Sequence, residues 1–139
     1  IELVHKNPMP LRGVHDTLDY LKKVNIKIGL ATSSPYRLLN AVLSAMNIEK
    51  YFDFVHSAET EPYGKPHPAV YISAAKALSI QPSKCLVIED SFNGVISGKA
   101  AKMDVVCIPE KTHELNLKLN LADYIFDDMS KMLDVLKNV

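Results

Sequence analysis

Two adjacent carboxylates, Glu89 and Asp90, follow the apolar run Cys85-Leu86-Val87-Ile88. An apolar run of that length, bounded by turn and cap residues, predicts a strand buried on both faces. Acids placed where such a strand stops stand at the carboxyl edge of a sheet, where open α/β sheets hold their ligands. Neighbouring carboxylates repel each other, and a cation relieves the repulsion. Oxygen-only donors suit Mg²⁺ better than Zn²⁺, which prefers nitrogen and sulfur. The other reading is an acidic helix N-terminus, where Glu and Asp are favoured in any case. This stretch alone leaves both readings open.

Two further stretches carry chemistry. Thr32-Ser33-Ser34-Pro35 follows a second apolar run, Ile26-Lys27-Ile28-Gly29-Leu30-Ala31. Ser34 suits a helix N-cap and Pro35 a first helical residue. Hydroxyls, free backbone N–H groups and the positive end of a helix dipole suit an anion such as phosphate. Simple capping uses the same residues. In Pro62-Tyr63-Gly64-Lys65-Pro66-His67-Pro68, prolines on both sides hold Lys65 in a stiff loop. A held ammonium can pair with phosphate or with a carboxylate nucleophile. An exposed lysine beside a helix start is the plainer alternative, and His67 is expected at that helix entry.

The elements that must position these residues alternate along the chain. Residues 1–13, with Asn7-Pro8-Met9-Pro10 and Gly13, predict a linker. Val14, Leu18, Leu21 and Val24 share one helical face. A strand is expected to end at Thr32, followed by a helix burying Leu38, Leu39, Val42, Leu43 and Met46. A short strand is expected over Phe52–Ser57. Val70, Tyr71, Ala74, Ala77 and Leu78 mark the inner side of a further helix. Ser91 is expected to cap a helix containing Val95, Ile96, Ala100 and Ala101. Val105-Val106-Cys107-Ile108 predicts a strand, Leu115 to Leu121 a leucine-spaced segment, and Tyr124-Ile125-Phe126 a last short strand. Met129, Met132, Leu133 and Leu136 give a closing helix. The alternation predicts an α/β fold, a mostly parallel sheet with helices on both faces.

The 139 residues suit one domain, and the formal net charge is zero, so nothing advertises nucleic acid or an acidic membrane surface. No run approaches transmembrane length. Cys85 and Cys107 fall in expected buried strands and suit packed thiols in a reducing cytoplasm better than a disulfide. Neither a dinucleotide fingerprint nor a Walker loop is present.

In combination, hydroxyls, an ammonium and carboxylates at one sheet edge suit phosphoryl transfer, where positioning and charge neutralisation do most of the catalysis. The sequence resembles the haloacid dehalogenase-like (HAD) hydrolases, and within them the β-phosphoglucomutase and 2-deoxyglucose-6-phosphate phosphatase group. Gly29-Leu30-Ala31-Thr32-Ser33-Ser34 is similar to the family's second motif, Gly64-Lys65-Pro66-His67-Pro68 to its third, and Val87-Ile88-Glu89-Asp90-Ser91-Phe92-Asn93-Gly94-Val95 to its fourth. The resemblance runs from about Pro10 to the C-terminus. It implies a Rossmann-like core and a Mg²⁺-dependent phosphatase or phosphomutase acting on a small phosphorylated metabolite, a sugar or polyol phosphate. It also implies that Thr32, Ser33 and Ser34 hold the phosphate. Lys65 would neutralise phosphate charge and hold the nucleophile. Asp90 would bind Mg²⁺, with Glu89 binding it directly or through water. Asn93 and Gly94 are expected to shape the turn.

One departure stands against these matches. The family's first motif is a strand ending in Asp-x-Asp, whose first Asp attacks phosphorus and whose second is general acid and base. No Asp-x-Asp occurs here; the nearest imitation is Ile125-Phe126-Asp127-Asp128. The resemblance therefore implies the C-terminal part of a HAD core, over residues 14–139, without its first, central strand and without the helical cap. The strands ending at Thr32 and Ile88 are then expected either to keep unpaired edges or to pair with each other. Unpaired buried backbone groups cost on the order of 1–3 kcal/mol each. An N-terminal segment or a second chain is expected to complete the sheet. The other reading of the missing motif is a non-catalytic HAD-like remnant that binds phosphate or a partner protein. A phospho-acceptor receiver domain has the reverse order of acids and Lys.

Overall fold

The computed structural model describes residues 13–110 and 117–139. Apart from Gly13, the expected linker lies outside the described residues, as do His113 and Leu115. Gly13 itself is punctuation of the kind expected. It sits at φ 86° before the first helix, α1 (Val14–Lys23), where a side chain would run into Ser130.

Five parallel strands and four further α-helices follow among the described residues. They are β1 (Gly29–Thr32), α2 (Tyr36–Met46), β2 (Phe54–Ser57), α3 (Ala69–Leu78), β3 (Leu86–Glu89), α4 (Phe92–Ala100), β4 (Asp104–Cys107), β5 (Tyr124–Ile125) and α5 (Met129–Lys137), with short 3₁₀ turns between some of them. The strands form two sheets rather than one. β1 pairs with β2, Thr32 opposite Ser57, and β3 pairs with β4 and β4 with β5. Of the two expected arrangements for β1 and β3, the structure has the first: among the described residues they do not pair with each other, and each keeps one open edge.

Two apolar clusters hold the layers together. On one side, Leu18 of α1 and Leu39, Val42, Leu43 and Met46 of α2 pack with Ile28 against Leu30 and Val55. On the other, Val70, Tyr71 and Ala75 of α3 pack with Val87, Val95, Val105 and Cys107 against Ala31. Leu30 and Ala31 thus point to opposite faces, as the two-residue period of a strand requires. α3 lies on β1 and β2 yet shares its apolar side with β3 and β4. It bridges the two sheets.

Several local expectations are corrected. β3 is not buried on both faces: Leu86 is 45% and Ile88 38% exposed, while Val87 is 4%. The reason is geometric. α3 and α4 cover one face, β4 pairs one edge, and nothing among the described residues covers the remainder. Cys85 precedes β3 and is only half-buried; Cys107 is fully buried, and both are free thiols. Ala75 rather than Ala77 faces the core from α3, and Ala101 rather than Ala100 does so at the end of α4. β1 is shorter than expected, beginning at Gly29, and Ile26 is half exposed.

Candidate functional site

β1 delivers Thr32 to the carboxyl edge of the sheet, where it is only 3% exposed. Its Oγ1 accepts the Ser34 N–H at 3.0 Å, which closes a tight turn. That turn corrects the expected helix start. Ser34 does not cap α2; Pro35 occupies the cap position and the helix begins at Tyr36. The Tyr36 N–H is instead taken by Glu59 Oε2 at 2.9 Å, an acid supplied by the end of β2. Ser57, fully buried at the end of β2, donates its hydroxyl to the Ser34 carbonyl at 2.6 Å and accepts the Glu59 N–H at 3.0 Å. The turn 32–34 is therefore held from both sides, with Ser33 exposed and Ser34 half-buried.

Lys65 is no free surface lysine. Its side chain is 11% exposed. The ammonium donates to the Ala31 carbonyl at 3.3 Å, to the Tyr71 hydroxyl at 3.2 Å and to Glu89 Oε1. Ala31 belongs to β1 and Glu89 to β3, so one ammonium spans the open edges of both sheets. A second tie fixes the same loop, because the buried Ser97 hydroxyl of α4 donates to the His67 carbonyl at 2.8 Å. His67 stands at the helix entry as expected, its Nδ1 accepting the Ala69 N–H at 3.1 Å.

β3 ends in Glu89, which is buried, followed by half-buried Asp90. Glu89 Oε1 accepts from both Lys65 and Tyr71, whereas Oε2 lies beside the Asp90 N–H at 3.3 Å. Ser91 caps α4 as expected, accepting the Gly94 N–H at 3.1 Å. Gly94 does more than shape the turn: any side chain there would overlap the Glu89 carboxylate. Burial pushes the Cys107 thiol up to about 11, with the charges of Asp90 and Glu89 adding to it. Burial also lifts the Tyr71 phenol well above its ordinary value, and Glu89 reinforces this.

The structure thus brings Lys65 and Glu89 into contact, with Thr32 and Asp90 each one residue from a group that Lys65 or Tyr71 holds. Sequence reasoning missed three participants. Tyr71 was assigned to the core from its helical spacing, and its hydroxyl, six residues beyond Lys65 on the next helix, was the signal. Ser57 and Glu59 carried a weaker one, a polar end to a strand in register with Thr32. A separate network joins the elements behind this edge. Glu61 Oε1 accepts from His56 Nε2 at 2.7 Å and from Ser73 Oγ at 2.5 Å, and the Tyr36 hydroxyl meets His56 Nδ1 at 3.2 Å.

A parallel α/β core with hydroxyl, ammonium and carboxylates at its carboxyl edge belongs to the Rossmann-like class of folds. The model of the haloacid dehalogenase-like hydrolases matches residues 1–102, and the chain belongs to that family. Hexitol phosphatase B of Escherichia coli K12 is 35% identical over 132 residues, 95% of this chain and 60% of the relative. The phosphorylated carbohydrates phosphatase of Thermotoga maritima is 37% identical over 139 residues, 99% of this chain and 62% of the relative. The crystal structure of β-phosphoglucomutase from Clostridium difficile superposes with a TM-score of 0.78 at 30% identity, covering 92% of this chain and 55% of that one. The group is β-phosphoglucomutase-like, and the chain spans about 60% of the length of the curated relatives it matches.

Proposed function

We propose that the chain is the C-terminal part of the catalytic core, residues 14–139, of a Mg²⁺-dependent cytoplasmic phosphatase or phosphomutase acting on a small sugar or polyol phosphate. The observation that carries this reading is Lys65, half-buried and hydrogen-bonded to β1 through Ala31 and to β3 through Glu89. A structural domain has no need to hold an ammonium between two carboxyl-edge groups. In this reading Thr32 and the Ser33 N–H receive the phosphoryl oxygens, helped by the Ser34 hydroxyl. Lys65 neutralises their charge and orients the nucleophile.

The donor chemistry fits Mg²⁺. Asp90 and Glu89 offer oxygen only, and Mg²⁺ is commonly held by one or two carboxylates completed by water and phosphate. Among the described residues no cluster of three or more His, Cys, Asp or Glu could hold a metal by itself, so the carboxylate pair suits a site that other groups complete. When bound, the cation would neutralise charge on the transferring phosphoryl group. Asp90 would be its direct ligand and Glu89 a ligand directly or through water.

The attacking aspartate and the acid/base aspartate are assigned to an Asp-x-Asp strand outside these residues, from an N-terminal segment or a second chain. Such a strand would lie between β1 and β3, and their open edges support that placement. It would form and release an aspartyl-phosphate. A second reading, which the lack of Asp-x-Asp in these residues fits equally well, is a non-catalytic HAD-like domain binding phosphate or a partner.

The test is hydrolysis of a panel of sugar phosphates by the product of the complete gene, with Mg²⁺ and with a chelator. Chelator-sensitive turnover is expected, abolished by Asp90→Ala and lowered at least a hundredfold by Lys65→Ala, as for loss of a transition-state charge partner. Turnover unaffected by either substitution breaks the site assignment. No turnover with any substrate, alongside retained phosphate binding, favours the second reading.

A further inference from the structure

Lys65 and Glu89 meet at a third group, the hydroxyl of Tyr71. Tyr71 sits in the first turn of α3 with its ring in the apolar cluster that bridges the sheets. The hydroxyl donates to Glu89 Oε1 and accepts from Lys65 Nζ at 3.2 Å. The same ammonium lies 4.8 Å from the ring centroid, within reach of its π face. One hydroxyl therefore touches both charged partners, and the ring adds a second contact with the ammonium.

We propose that Tyr71 is a positioning residue: its hydroxyl commits Glu89 Oε1 and the Lys65 ammonium to each other, and so leaves Glu89 Oε2 on the Asp90 side. A hydroxyl can give a proton to the carboxylate and take one from the ammonium, which no apolar ring can do. Without the hydroxyl, Glu89 keeps only the Lys65 bond on Oε1. Its carboxylate can then rotate, and Oε1 and Oε2 no longer have distinct partners. The consequence for turnover rests on the proposed function above; the locking of Lys65 does not.

The experiment compares the wild-type chain with Tyr71→Phe, which keeps the ring, its packing and its contact with the ammonium. NMR of the Lys65 Nζ protons reads how well the ammonium is held. In the variant their exchange with water is expected to rise about tenfold, as for loss of one hydrogen bond to a charged group. Exchange unchanged from wild type overturns the proposal. The wild type alone supplies a second reading that does not depend on the variant folding: a slowly exchanging Tyr71 hydroxyl proton. Its absence also overturns the proposal. In the complete gene product, kcat is expected to fall about tenfold while KM changes less than threefold, because the held charges act on the transition state. A merely structural role would lower Tm without that split, and an unchanged kcat overturns the positioning of active groups. If Lys65 is released in the variant but the wild type hydrolyses no sugar phosphate, the proposed function falls and the positioning role of Tyr71 stands.

Discussion

Gly94→Ala is the substitution whose cost the structure specifies most sharply. A methyl group at residue 94 would occupy the space of the Glu89 carboxylate. That carboxylate is held at Oε1 by Lys65 and Tyr71. To admit the methyl, it must move and weaken at least one charge-assisted hydrogen bond, worth about 1.5–3 kcal/mol. Alanine returns about 0.5–1 kcal/mol by its better helix propensity. The net destabilisation is expected to be about 1.5 kcal/mol, a fall in Tm of roughly 3–6 °C for a chain of this size. Thermal and urea unfolding measure it directly. A double-mutant cycle identifies the cause. In a Glu89→Ala background the obstruction is gone, so Gly94→Ala should become neutral or slightly stabilising. Additivity of the two substitutions within ~0.5 kcal/mol would refute the reasoning. Gly98→Ala provides the contrast, because its methyl would meet Val105 and Val87 instead. It should destabilise by about 1–3 kcal/mol through overpacking, with no coupling to Glu89.

Two further outcomes follow from local geometry. Ser91→Ala removes the hydroxyl that accepts the Gly94 N–H, and equilibrium unfolding should show a loss of about 1 kcal/mol, which Ser91→Asp should largely restore. Glu61 has its carboxyl held below the ordinary value, first by the Ser73 hydroxyl and then by His56. A depressed folded pKa contributes stability above the ordinary glutamate value and loses it as pH falls through the depressed one. Tm measured across that acidic window should therefore fall more steeply in wild type than in Glu61→Gln, and equal slopes would remove Glu61 from the acid response.

The sequence by itself determined much of this protein, for local physical reasons. Alternating apolar runs and helical faces specified the parallel α/β order, because those periods are properties of neighbouring residues. Ser91 as a cap, Gly13 as a break and His67 at a helix entry depend on backbone groups a few residues away and were legible for the same reason. Thr32, Lys65, Glu89 and Asp90 stood out because polar residues closing apolar strands, or braced by prolines, have few structural uses.

What only the tertiary structure decided involved partners far apart in the chain. That Lys65 bonds Ala31 and Glu89 at once depends on how α3 sets one sheet beside the other. Tyr71 was indistinguishable from a core aromatic until its hydroxyl was placed between those groups. Glu59 displaced Ser34 from the start of α2 because β1 and β2 pair in a register that brings the end of β2 there. The exposure of Leu86 and Ile88 likewise could not be read from an apolar run. A run records what a strand is suited to bury, whereas burial itself requires neighbours, and β3 has them on one face and one edge only.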